Sequence, residues 1–138
     1  MKFRILTSLM LFLVTICLFG AFKPQENGQV YFIRSTNSVG TLVPYKVFID
    51  DTLVCDLKNK HYSIHDIAPG AHTVAIQNTG LSSHKKSRPL KINVQAGKIN
   101  YLVAINGPEI YLQETVETSA KELLKKVVAT KECLPKKK

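Results

Sequence analysis

Leu90-Lys91-Ile92-Asn93-Val94-Gln95 alternates apolar and polar side chains without a break. In an extended chain successive side chains point to opposite faces, so this stretch turns one row to oil and the other to water. It predicts a strand on a half-buried sheet, and the same period runs outward from it. Tyr45, Val47 and Ile49 alternate with Lys46, Phe48 and Asp50, and Leu53, Cys55 and Leu57 alternate with Val54, Asp56 and Lys58. Between those two runs Asp50-Asp51 reads as a tight hairpin turn, because aspartate tolerates the left-handed backbone that such turns need. Asn59-Lys60 turns the chain into His61-Tyr62-Ser63-Ile64. Ile67-Ala68-Pro69-Gly70 then supplies a fixed φ followed by a residue that accepts positive φ.

His72 to Gln77 is the next strand, with His72 in the same parity as Val74 and Ile76, at the rim of the core and hydrogen-bonded. Val30-Tyr31-Phe32-Ile33 is apolar throughout and suits a strand covered on both faces. Ser35 to Thr41 is a polar turn region. Asn78 to Arg88 is a polar, basic, exposed loop. Ala96-Gly97 leads into Ile99 to Ile105, and Asn106-Gly107-Pro108 turns the chain into Ile110-Tyr111-Leu112.

After Glu114 the period changes. Val116, Ala120, Leu123, Leu124, Val127 and Val128 form one stripe of an α-helix, predicted over residues 115–130 with Thr115 as its cap. Glu117/Lys121 and Glu122/Lys126 are spaced for i, i+4 ion pairs. The expectation is a mainly β protein: an immunoglobulin-like β-sandwich of seven to eight short strands over 29–130, closed by one C-terminal amphipathic helix and a basic tail at 131–138.

Residues 1–22 are of another kind. Lys2 and Arg4 precede an uncharged apolar run from Ile5 to Phe22, followed by an abrupt polar linker at 23–28. That order is a secretory leader or membrane anchor, so the domain is expected outside the cytoplasm: periplasmic, associated with an envelope membrane, or extracellular. Three fates are open to the leader: cleavage near Gly20 or Ala21, acylation at Cys17 (Val14-Thr15-Ile16-Cys17 resembles a lipobox), or retention. The formal charge of +9 falls to +7 without Lys2 and Arg4. That excess favours anionic neighbours such as lipid headgroups.

Three stretches together carry a family resemblance. They are Val47-Phe48-Ile49-Asp50-Asp51-Thr52-Leu53-Val54, Ile67-Ala68-Pro69-Gly70-Ala71-His72-Thr73-Val74 and Ala96-Gly97-Lys98-Ile99-Asn100-Tyr101-Leu102-Val103. Their order resembles the bacterial domain family DUF2846, with a weaker likeness to PEGA domains, over roughly Gln29 to Val128. Asp51 stands where that family usually has Gly, and Asn100 where it usually has an aromatic. The resemblance implies a transthyretin-like sandwich at the cell envelope and implies no reaction.

Candidate chemistry is sparse. His61, His65 and His72 invite a metal reading, and the first two have a helical ligand spacing, but on a strand four residues separate them by ~13 Å, so no metal is expected. Asp50, Asp51 and Asp56 lack the ligand density of a calcium loop and read as turn formers. No nucleophile motif is present, and Cys55, in register with Leu53 and Leu57, reads as a buried thiol. A bridge from Cys55 to Cys133 fits an oxidising compartment, although a mid-strand thiol and a tail thiol are poorly placed for each other. The expectation is a non-enzymatic envelope domain without cofactor that binds or scaffolds another envelope component. Its partner would be an envelope protein or an anionic membrane surface, not nucleic acid. The candidate contact residues are Lys85, Lys86, Arg88, Lys125 and Lys126. The alternative is a carrier or sensor of a small or anionic ligand, with a pocket between the sheets lined by Tyr45, Tyr62 or Tyr101.

Overall fold

The computed structural model describes residues 25–36, 42–80 and 85–133. The leader, Cys17 and the end of the tail lie outside the described residues. Among the described residues nine strands form two sheets. The chain runs β1 (Gly28–Arg34), β2 (Tyr45–Ile49), β3 (Thr52–Leu57), β4 (His61–Ile67), β5 (Gly70–Asn78), β6 (Leu90–Val94), β7 (Ile99–Asn106), β8 (Ile110–Thr115), helix α1 (Glu117–Leu124), β9 (Val128–Ala129) and a 3-10 turn at Lys131–Cys133. One sheet has the order β8-β7-β1-β4-β9 and the other β3-β2-β5-β6. Eight strands lie where the alternation predicts them. The ninth replaces the last part of the expected helix.

The main core lies between the sheets. Val30 and Phe32 from β1, Val47 and Ile49 from β2, Val74 and Ile76 from β5, and Leu102 and Ala104 from β7 meet there. A second cluster, Ile33, Tyr101, Ala120 and Val127, lies on the outside of the five-stranded sheet beneath α1, with Tyr31, Leu123 and Leu124 packed against it. This is why Val30 to Ile33 is apolar at every position: its even residues face the other sheet and its odd ones face the helix. Among the described residues both clusters are built within residues 30–133.

The two aspartates of the β2–β3 turn adopt positive φ, 47° at Asp50 and 61° at Asp51, as the sequence predicts. Asp50 also braces β5, accepting hydrogen bonds from the Thr73 N–H at 2.9 Å and from His72 Nδ1 at 2.7 Å. Beyond this turn the simple alternation breaks. Val47 pairs with Cys55 but Phe48 pairs with Leu53, so Val54 is an extra residue in a bulge. The bulge turns Leu53 outward to 46% exposure while Cys55 and Leu57 stay buried, which corrects the expectation that all three share one face.

The helix is shorter than its apolar stripe. Thr115 ends β8 instead of capping α1, and the cap position is Val116, without a side-chain bond. Val116 and Val128, expected on the buried stripe, are 66% and 60% exposed. After Leu124 the chain turns, and the Val128 N–H donates to the Lys60 carbonyl at 3.0 Å, so β9 lies parallel beside β4. A free sheet edge offering backbone partners competes successfully with two more turns of helix. Glu117 pairs with Lys121 as spaced, at 2.7 Å, but Glu122 reaches Lys125 at 2.6 Å rather than Lys126.

Candidate functional site

The two open sides of the sandwich are treated differently. On one side β4 and β3 are the neighbouring edges. There β9 covers β4, and Cys133 is bonded to Cys55 of β3. The disulfide that sequence placement disfavoured therefore forms, because β9 carries the tail back across the sheet to the bulged strand. Helix, β9 and disulfide act together as a strap that closes this side.

Among the described residues the opposite side has no strap. Its edges are β8 and β6, and between them Pro89, Leu90, Ile110, Tyr111 and Leu112 line a mostly apolar cleft of about 340 Å³, with Arg88 and Glu109 at its rim. Asn100 ties the far end of this side, donating to Glu114 Oε1 at 2.7 Å and to the Asn93 carbonyl at 3.4 Å. A polar residue at position 100, where the resembled family has an aromatic, is thus used to lace the two edges. Beyond that tie, among the described residues β8 is strand-paired only with β7. Its sequence Ile110-Tyr111-Leu112-Gln113-Glu114-Thr115 holds neither Lys nor Pro, the residues that commonly guard an edge. Tyr111 is 43% exposed beside the cleft.

The five candidate contact residues do not converge. Lys86 belongs to the outside of the four-stranded sheet, its Nζ 4.0 Å from the centre of the Phe48 ring and 3.3 Å from Asp51. It pairs across a bridge with Gln77, and Ser87 beside it is buried, its hydroxyl accepting the Ile76 N–H at 3.0 Å. The described part of the expected exposed loop is therefore folded back onto β5. Lys85 leads into this bridge, and Arg88 continues to the cleft. Lys125 and Lys126 end the helix on the outside of the other sheet.

The histidines are also dispersed. His61 and His65 lie along β4, and His72 lies on β5 in the other sheet. His65 turns inward against Phe32, and burial lowers its pKa to about 4, so it is neutral at ordinary pH. His72 faces an acceptor from each ring nitrogen, Asp50 and the Ala68 carbonyl. Both bonds favour the doubly protonated ring and raise its pKa. Among the described residues no group of three or more His, Cys, Asp or Glu side chains could hold a metal. Tyr62 and Tyr101 face the helix side, whereas Tyr45 is buried between the sheets, so no common pocket joins them.

One residue escaped the sequence reading. Arg34 is 1% exposed, at the end of β1. Its Nη1 donates to the carbonyls of Val43 at 2.8 Å and Leu57 at 3.0 Å, and its guanidinium stacks on the Tyr45 ring. Burial pulls its pKa below the usual arginine range. The only signal was its parity with Val30 and Phe32, which is weak for a residue at a strand end.

The architecture is that of a small two-sheet sandwich, one side strapped and the other open. The family described as a protein of unknown function, DUF2846, matches residues 24–116, and the chain belongs to that family. The match ends before α1, so the strap lies beyond it. No curated protein matches the chain.

Proposed function

We propose that this protein is an exported, non-enzymatic envelope domain that holds an extended segment of another envelope protein along its open side. The observation that carries the reading is the contrast between the two sides: a strap covers β4 and β3, while β8 offers an unguarded edge over an apolar cleft. An added strand would take backbone hydrogen bonds from β8 and place an apolar side chain between Leu90 and Ile110. The disulfide favours an oxidising compartment, in keeping with the leader.

Site-specific photocrosslinking in intact cells tests it. A photoreactive residue in place of Tyr111 is expected to trap one envelope protein, while the same residue in place of Thr52 on the strapped side traps none. The trapped species should fade when Ile110→Lys is added. Equal crosslinking from both sides, or none from Tyr111, would refute the reading.

A further inference from the structure

The strand directions divide the charge between two poles. At the pole where the chain enters β1 lie Glu26, Asp50, Asp51, Asp66, Glu114 and Glu117. At the opposite pole β1 ends, and there the turn from β3 to β4 presents Lys58 and Lys60, both exposed. Lys126 joins them, because the Val128 N–H is bonded to the Lys60 carbonyl at 3.0 Å. Among the described residues none of these three lysines is paired with a carboxylate. Of the acids nearest them, Asp56 is engaged by Lys46 at 3.7 Å and Glu122 by Lys125 at 2.6 Å, while Glu109 stands at the same pole across the sheet, in the β7–β8 turn.

An apolar side chain projects from the same pole. Leu42 is 96% exposed, more than any other large hydrophobic among the described residues. A single exposed leucine is ordinary. Its position is what matters here. Arg34 Nη1 bonds the carbonyls of both Val43 and Leu57, which brings the segment carrying Leu42 beside the one carrying Lys58. Asn59 in turn is locked to Thr36, accepting from its N–H at 3.0 Å and its hydroxyl at 2.9 Å. Lys58 and Lys60 therefore stand on a braced turn beside a protruding apolar tip, with Lys126 on the adjoining segment.

We propose that this pole is a docking surface for an anionic lipid bilayer. Leu42 enters the acyl boundary, and Lys58, Lys60 and Lys126 lie against the headgroups. Lysines alone would suit any polyanion. A leucine held out among them gains only where hydrocarbon lies behind the charge.

Because both cores lie within residues 30–133, the test uses residues 25–138 in flotation with vesicles of phosphatidylcholine alone or with about 30% phosphatidylglycerol. Binding is expected to the anionic vesicles only, and to weaken as salt rises. Each lysine is worth roughly a fivefold gain, so K58Q/K60Q/K126Q should weaken binding on the order of a hundredfold. Leu42→Ser should weaken it several-fold, and Lys98→Gln, at the acidic pole, should leave it unchanged. Circular dichroism confirms that each variant is folded. Equal binding to neutral vesicles, or an unaffected triple variant, would overturn the proposal. So would full competition by soluble polyphosphate with no effect of Leu42→Ser, an outcome that would mark a polymer site instead.

Discussion

The guanidinium of Arg34 lies 3.5 Å from the centre of the Tyr45 ring, and both side chains are sealed from solvent between the two sheets. No carboxylate among the described residues answers this charge. Two backbone carbonyls and an aromatic face do so instead, and among the described residues Arg34 Nε meets no acceptor. A flat, delocalised cation suits such a place better than a compact ammonium. Arg34→Lys keeps the charge but loses both the fork and the stack, and is expected to cost about 3 kcal/mol. Arg34→Met removes the charge at similar length and should cost less, the loss coming from the two abandoned carbonyls. Urea unfolding of the three proteins gives the order, and a lysine variant as stable as the parent would contradict this account.

The Cys55–Cys133 bond closes a loop with a sequence separation of 78 residues and holds the strap against β3. Cys133→Ser is expected to lower stability by about 2–5 kcal/mol. Limited trypsin digestion should then cut first at Lys125 or Lys126, since β9 alone contributes only two residues of pairing. An unchanged digestion pattern would mean that helix packing, not the disulfide, holds the strap.

His65 makes stability depend on pH. Its ordinary pKa is 6.5 and its folded value is lowered to about 4 by burial, so the unfolded chain takes up the proton first. The contribution is complete above pH 6.5 and is lost as pH falls toward 4, a change of about 3 kcal/mol. His72 acts with the opposite sign: its raised pKa stabilises at low pH and its contribution fades as pH rises through the folded value. His65→Gln should flatten the acid limb of a plot of denaturation midpoint against pH, while His72→Gln should leave that limb in place.

The two turn aspartates should respond differently to glycine. Both have positive φ, a backbone state that favours glycine. Asp51 is a surface residue whose carboxylate is 94% exposed and meets only Lys86, so Asp51→Gly is expected to raise stability by about 0.5 kcal/mol. Asp50→Gly relieves the same backbone but removes the acceptor for Thr73 and His72, and should lower stability by about 1 kcal/mol. Thermal melts of the pair measure the difference.

Several parts of the molecule were legible because they depend on neighbours in the chain. Asp50-Asp51 and Pro69-Gly70 announce turns through the φ values their residues accept, and Leu90 to Val94 announces a strand through period alone. The bulge at Val54 was not legible, since an inserted residue leaves the apolar spacing of Cys55 and Leu57 untouched and displaces only Leu53. The helix was read too long because the stripe continues through Val127 and Val128, and a stripe cannot reveal that β4 has a vacant edge beside it. Of the candidate contact residues, Lys125 and Lys126 lie on one outer face and Lys86 on the other. Charge along a sequence does not say which face a residue will reach.

The sequence by itself determined that the runs forming β1 to β8 are extended, because a two-residue period has one stable solution at a boundary between oil and water. It determined family membership in the same way, through turns at fixed intervals. Tertiary structure alone decided which side of the sandwich would be strapped, which cysteines would meet, and that Arg34 would be buried rather than solvated. Each of those outcomes depends on contacts between residues far apart in the chain, where no local preference acts and the available space at a sheet edge or between sheets makes the choice.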